Sequence, residues 1–428
     1  MFLKSVTWLA LTLFLKLKFD LKLLREINMA NKEQSVNSTH YELKGPLIKL
    51  QRVWRSIKMW GLHRTYAKTL NRLSIGVAPV FSWVPRSRDI VLVGCGQFGL
   101  TTASFFISKK LGNRFLGCYD IVESQSRRAQ DNYGYKHCAE SFKGLLDLEG
   151  AKYLFVASNH ASHTSQTIAG LNKGMKVHVE KPISVSWGQL ADLCKVVKGK
   201  EDLLFVGYNR PFAKATQILR EKLSSHDHPF TIQYFIAGHA ISGDHWYYDP
   251  KEGTRICGNV GHWIDLTVHL LSQSRLADRW QISLICSDDE LREENFSLSM
   301  SSDRGDLVTM TFTARGEPFD GVSESINLQH GNVMAKIEDY QTMKLWDKNK
   351  FKQYRFWPKD VGHKTSVVQM FEKNPRYQRP WSEVLLSTML MLHITDMVKD
   401  NINTSTFSFS DAETKIKDNS TIKSESKV

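Results

Sequence analysis

Between residues 88 and 207 the apolar positions come in short, nearly continuous runs, at 90–93, 115–119, 152–157, 177–179 and 203–206. Runs that are apolar on both faces predict strands buried on both sides of a parallel sheet. Segments of helical character separate them, at 98–110, in the stretch ending at 171 and around 190–197. That alternation predicts β-α-β units with right-handed crossovers. From 280 to 356 the period changes to two. The stretches 281–286, 296–300, 307–313, 324–329, 333–337, 342–346 and 352–356 alternate, with turn signals such as Asp303-Arg304-Gly305-Asp306 and His330-Gly331-Asn332 between them. They predict an antiparallel sheet with one face on a core. A helix opening at Asn209-Arg210-Pro211-Phe212 and running toward 223, a strand at 231–237 and a helix at 382–398 complete this half. The last helix is placed to return onto the first domain.

The predicted fold class is α/β: an N-terminal Rossmann-type doubly wound parallel sheet, then an α+β domain with a large, mostly antiparallel sheet. The predicted domains are a basic extension at 1–87, the parallel-sheet domain at 88–207, the α+β domain at 208–400, and a disordered polar tail at 401–428.

In the extension, Leu47, Leu50, Trp54, Ile57 and Trp60 fall on one helical face, and Lys49, Arg52, Arg55 and Lys58 lie between them. Arg64, Lys68 and Arg72 continue the charge, so the pattern predicts one basic amphipathic helix over 46–73. Its apolar face can dock on the body, directly or at an oligomer interface, or lie on an anionic membrane. The apolar run at 6–15 is ten residues long, too short to span a bilayer, and no small-residue cleavage site follows it.

Charge sharpens this division. The net charge is +13, and residues 1–87 hold fifteen Lys and Arg against four Asp and Glu. The body is nearly neutral, so the basicity concerns the partner of the extension and not the substrate. No zinc-finger, RNA-binding or recognition-helix pattern accompanies it, which argues against a nucleic-acid partner. The six cysteines form no C-x-x-C pair and fall mostly in apolar runs, the pattern of reduced buried thiols in a cytoplasmic protein. No Cys/His cluster or HExxH suggests a metal.

The chemistry begins where the first predicted strand ends. Gly94-Cys95-Gly96-Gln97-Phe98-Gly99 has the spacing G-x-G-x-x-G, which suits a sharp strand-to-helix turn with a diphosphate at the helix N-terminus. Asp120 lies 21 residues after Gly99, at the end of the second predicted strand, where an acid holds ribose hydroxyls. A carboxylate there repels a 2′-phosphate and favours NAD over NADP, although Ser124, Arg127 and Arg128 could offset that repulsion. Two other strand ends face the same edge: Ser158-Asn159-His160-Ala161-Ser162-His163 and Glu180-Lys181-Pro182.

Together with Gly207-Tyr208-Asn209-Arg210 and a later His-bearing helix, these motifs resemble the Gfo/Idh/MocA oxidoreductases over about residues 88–330. The resemblance implies that Lys181, in the Glu-Lys-Pro tripeptide, reaches both the nicotinamide ribose and the reacting oxygen of the substrate. It implies that His262 is the second catalytic group. A family acid stands four residues before that histidine, or one residue later in a branch associated with nucleotide sugars. Here those positions are Gly258 and Asn259.

The candidate cofactor site is therefore Gly94, Gly96, Gln97, Phe98, Gly99, Asp120, Ser158, Asn159, His163, Glu180 and Lys181. The candidate substrate site is Lys181, Asn209, Arg210, Trp246, Asn259, His262 and Asp265, with Asp244 and Asp249 in the aromatic loop as further candidates. The expected activity is hydride transfer between NAD and a CH–OH group of a sugar, polyol or nucleotide sugar, in surface polysaccharide synthesis on the nearest resemblance. A homo-oligomer is expected. The alternative is a dinucleotide-binding scaffold that has lost turnover with the acid at Gly258.

Overall fold

The computed structural model describes residues 46–72, 85–223 and 228–425, apart from 242, 244, 274–275, 317–320 and 373–378. The readings at 1–24 and at Asp244 lie outside the described residues. Among the described residues, 46–55 and those from Ser56 onward fall into separate units.

The first sheet has six parallel strands in the order β3-β2-β1-β4-β5-β6. They are β1 (Pro85–Val93), β2 (Asn113–Tyr119), β3 (His137–Cys138), β4 (Tyr153–Val156), β5 (Lys176–Val179) and β6 (Leu204–Val206). Ile90, Val91, Leu92 and Val93 are all buried, as a strand covered on both faces requires. β1 pairs with β2 on one side and β4 on the other, so the chain order reverses at its carboxyl end. Ligands of such sheets bind at that reversal. The helix after β1 opens with a wide π turn, Gly99–Ser104, and continues as Phe105–Leu111; Ser104 Oγ donates to Gly99 O five residues back at 2.8 Å.

The second sheet has nine strands in the order β14-β13-β12-β11-β7-β10-β9-β8-β15. They are β7 (Phe230–Ala237), β8 (Arg279–Cys286), β9 (Asn295–Ser302), β10 (Leu307–Thr313), β11 (Ser323–His330), β12 (Val333–Glu338), β13 (Thr342–Asp347), β14 (Lys350–Arg355) and β15 (Thr404–Ser408). All neighbours are antiparallel except β7 and β10. Phe230, Ile232, Tyr234 and Ile236 alternate inward on β7. The helices Gly261–Leu271 and Trp381–Lys399 pack together on this inner side.

Three expectations need correction. The basic amphipathic segment is two helices, Pro46–Trp60 and Leu62–Arg72, because Gly61 takes φ +79° and ends the first. From Ser56 onward this segment docks on the body. Met59 O accepts from Lys359 N at 2.7 Å, Lys58 O accepts from Trp357 Nε1 at 2.7 Å, and Met59 and Ala67 are buried. The strand expected from the apolar run at 90–93 begins at Pro85.

The tail expected to be disordered from 401 instead forms β15 and the helix Phe409–Glu425. β15 adds to the free edge of β8, with Phe407 opposite Trp280. Phe409, Ala412 and Ile416 recur at helical spacing and are buried. A few apolar residues on one face were enough, against a polar average.

Candidate active site

Each glycine of the turn has its own physical reason. Gly94 takes φ +88°, and a Cβ there would lie 2.3 Å from the Ala157 carbonyl. A Cβ on Gly99 would lie 2.2 Å from Gly94 O. Gly96 has nothing within 4 Å, so its face is the open cradle that a diphosphate needs. Asp120 sits at the end of β2 and braces this turn. Its Oδ2 accepts from Cys95 N at 2.7 Å and its Oδ1 from Val122 N at 2.9 Å. Lone pairs remain on both oxygens for ribose hydroxyls. These features fit a dinucleotide.

Lys181 leaves the end of β5 and crosses to the second domain, where Nζ donates to Gly258 O at 2.6 Å. Glu180 is buried, with Oε1 unpartnered, and burial pushes its carboxyl up to about 8. A Cβ on Gly207 would lie 2.3 Å from that oxygen, so the glycine after β6 makes room for the acid.

Gly258 lies in a π turn, Ile256–Val260, that leads into the helix of His262. His262 Nδ1 and Asn259 Oδ1 are buried without partners beside Lys181. Burial first, then the charges of Arg210, Lys181 and His363, holds the His262 imidazole well below the usual histidine range. It is neutral at pH 7 and able to accept a proton.

Where the expected acid is missing, aromatic rings close in. A Cβ on Gly258 would lie 3.0 Å from His160 Cε1 and 3.0 Å from Tyr247 Cε2. Trp246, 44% exposed, meets the His160 ring edge-on at 4.7 Å. The loop carrying these rings is tied to the first domain through Glu252, whose carboxylate accepts from Asn159 Nδ2 at 2.5 Å and Ala161 N at 3.0 Å. Its backbone carbonyl accepts from His160 Nδ1 at 3.1 Å. Sequence reading missed His160, Tyr247 and Glu252 in these roles. Only the clustering of His, Trp and Tyr in the loop signalled them.

Several expected site residues have protein partners in the structure. Arg210 is buried, with Nε and Nη2 on Glu324 at 2.8 and 3.0 Å and its guanidinium over Trp263. Asp265 is fully buried against Arg379 at 2.6 Å and Ser387 at 2.9 Å. His269, four residues on along the same helix, donates to Glu383 at 2.8 Å. Asn209 donates to Val361 O at 2.5 Å. His163 lies between Pro182 O at 2.8 Å and Ser158 O at 3.2 Å, behind the Lys181 turn. Ser158 Oγ donates to Gln166 at 2.6 Å, Asn159 is taken by Glu252, and Asp249 accepts from Lys251 N at 3.0 Å. Gln97 O accepts from Thr101 Oγ1 at 2.7 Å, and Phe98 faces His363 with 6.1 Å between ring centroids. Among the described residues no group of His, Cys, Asp and Glu could hold a metal ion.

Residues 88–208 match a family model described as Oxidoreductase family, NAD-binding Rossmann fold (GFO_IDH_MocA). A 4-carboxy-2-hydroxymuconate-6-semialdehyde dehydrogenase of Sphingobium sp. is 27% identical over 141 residues, which are 31% of this chain and 42% of that protein. The match thus spans less than half the length of that relative. GenD2 from gentamicin A biosynthesis, solved with NAD, aligns over 78% of this chain and all of its own at 13% identity and a TM-score of 0.62. Levoglucosan dehydrogenase, solved with NADH and levoglucosan, aligns over 76% of this chain and 99% of its own at 11% identity and a TM-score of 0.60. At those identities the likeness is one of fold.

Proposed function

With residues 88–208 belonging to the Gfo/Idh/MocA oxidoreductases as their NAD-binding Rossmann domain, we propose that the chain is an NAD-dependent dehydrogenase acting on a CH–OH group of a sugar, polyol or nucleotide sugar. The observation that carries this reading is the pair of unpartnered buried atoms, His262 Nδ1 and Asn259 Oδ1, beside Lys181 at the edge of the glycine turn.

NAD, when bound, supplies the hydride acceptor or donor. The protein does the rest. The face of Gly96 and the carboxylate of Asp120 hold and orient the dinucleotide. The ammonium of Lys181, now on Gly258 O, turns to the reacting oxygen and stabilises the negative charge that builds there. His262, kept neutral, takes the hydroxyl proton on Nδ1. Asn259 Oδ1 accepts from a neighbouring hydroxyl. Trp246 and Tyr247 offer flat faces to a sugar ring, and the Tyr247 ring fills the space of the absent acid.

The finer reading is a nucleotide-linked sugar in surface polysaccharide synthesis. It is supported by the sequence resemblance to the branch carrying Gly-Glu at 258–259 and by a neighbour solved with levoglucosan and with L-sorbose. Exposed Phe235, Ile285, Met334 and Phe351 on the outer side of the second sheet support a homo-oligomer built through that face. Exposed Leu50, Val53 and Trp54 support peripheral membrane contact, and among the described residues no helix is long and apolar enough to cross a membrane.

The bare Gly258 favours a second reading, a dinucleotide-binding scaffold without turnover. A panel of UDP-sugars, inositols and free sugars with NAD separates the two. NADH formation that is lost in Lys181→Ala supports the enzyme, and NAD binding with no turnover on any member of the panel supports the scaffold.

A further inference from the structure

The helix Leu62–Arg72 carries into the body a cation that has no ion-paired carboxylate among the described residues. Arg64 is 8% exposed, and its guanidinium lies over the rings of Trp60 at 4.4 Å and Phe106 at 5.1 Å. Its Nη2 donates to His363 Nδ1 at 3.4 Å, and its Nε is buried without a partner. Other buried arginines each hold an acid: Arg210 holds Glu324, Arg255 holds Glu294, and Arg379 holds Asp265 and Glu383. Among the described residues Arg64 has no carboxylate within ion-pair distance. The acid whose charge reaches it is Asp360, and that carboxylate already accepts from Gly362 N at 3.0 Å and Lys214 N at 3.2 Å.

His363 links this arginine to the glycine turn. Its ring faces Phe98 of that turn, and the charges of Arg64, Arg210, Lys68 and Lys181 all bear on it. His363 in turn acts on His262. Arg210 is paired with Glu324, whereas Arg64 and Lys181 have no carboxylate within ion-pair distance among the described residues. A guanidinium is always charged, and its planar fork matches carboxylate and phosphoryl oxygens.

We propose that Arg64 and His363 form a subsite for an anionic group, a carboxylate or a phosphoryl, of the molecule bound beside the glycine turn. The inference rests on the reading that a dinucleotide and its substrate share that crevice. It gives the docked helix of the N-terminal extension a place in ligand binding. The anion comes either from the substrate, as a sugar acid or sugar phosphate, or from the diphosphate of the cofactor.

Calorimetric titration of the full chain tests this without requiring turnover. The probes are NAD and then, with NAD present, D-glucuronate, D-glucose 6-phosphate and neutral D-glucose. Arg64→Gln is expected to weaken an anionic probe, or NAD, by tenfold or more relative to the wild type, with glucose unchanged, and an anion preference retained in that variant overturns the proposal. A weakening confined to glucuronate or glucose 6-phosphate assigns the anion to the substrate, and a weakening of NAD assigns it to the cofactor. Arg64→Lys, which keeps the charge, and His363→Gln carry the comparison if Arg64→Gln does not fold. Equal NAD affinity in wild type and variants, with no preference for either anionic probe over glucose, overturns the proposal. Anion binding without dehydrogenase turnover would defeat the proposed function and leave the subsite standing.

Discussion

Lys181 Nζ and Gly258 O meet at 2.6 Å, across the boundary between the dinucleotide-binding sheet and the helix that carries His262. One hydrogen bond thus joins the end of β5 to the π turn before the second catalytic candidate. Among the described residues the hydrogen-bond partner of Lys181 is a backbone carbonyl, a partner it can exchange for a developing oxyanion. Lys181→Met keeps the length of the side chain and removes the charge. It is expected to lower kcat about 10²–10³-fold, the scale of one lost electrostatic donor, with NAD affinity changed far less. Steady-state kinetics beside NAD titration checks this, and an unchanged kcat would remove Lys181 from the chemistry.

Tyr247 stands where an acid four residues before His262 would project. Its ring would be 3.0 Å from a Cβ on Gly258. If the hydroxyl has taken over the work of the acid, Tyr247→Phe lowers kcat about tenfold or more and leaves the melting temperature alone. Gly258→Asp in the wild type crowds both Tyr247 and His160 and should reduce activity. The same substitution combined with Tyr247→Ala has room for the carboxylate and should recover part of it. Equal kcat in wild type and Tyr247→Phe would contradict this role.

The protonation state of His262 sets the pH profile. Burial lowers its pKa well below 6.5, so the base form persists as pH falls through the ordinary histidine range. A plot of kcat/KM against pH is expected to stay flat down through 6.5 and to fall only at lower pH. His262→Gln should remove that acid limb and reduce kcat about 10²–10⁴-fold. A limb centred near 6.5 in the wild type would contradict a buried neutral imidazole.

Much of the site was legible in the sequence because its constraints are local. The glycine turn, Asp120 and the Glu-Lys-Pro turn each follow from a strand end and a fixed spacing, and the apolar runs placed those strand ends. What stayed hidden depends on partners far away in the chain. Asp265 and His269 look like an i,i+4 pair, yet Arg379, 114 residues beyond Asp265, takes the acid, and Glu383, 114 residues beyond His269, takes the histidine. Arg210 looked open to a substrate until Glu324 appeared on the neighbouring sheet. The helix after 408 was hidden by its polar average, and the break at Gly61 by an amphipathic pattern that runs on through it.

The Asp265–Arg379–Glu383 network is structural, and its loss should show in stability. Arg379 bridges the two acids at 2.6 and 3.1 Å, and all three side chains are largely buried. Arg379→Met strands two buried carboxylates and is expected to cost about 3–5 kcal/mol in urea unfolding. The double variant Arg379→Met with Asp265→Leu should recover a good part of that loss. A cost under about 1 kcal/mol would mean that the network is open to water.

Hydride transfer between NAD and a sugar-like alcohol through Lys181 and His262 is read by NADH absorbance when the full chain is given NAD and a panel of UDP-sugars, inositols, sugar acids and free sugars. NADH should form with at least one member of the panel, and its formation should be abolished in Lys181→Met and in His262→Gln while both variants still bind NAD. NAD bound by the wild type with no NADH formed from any member, or turnover undiminished in both variants, would contradict it.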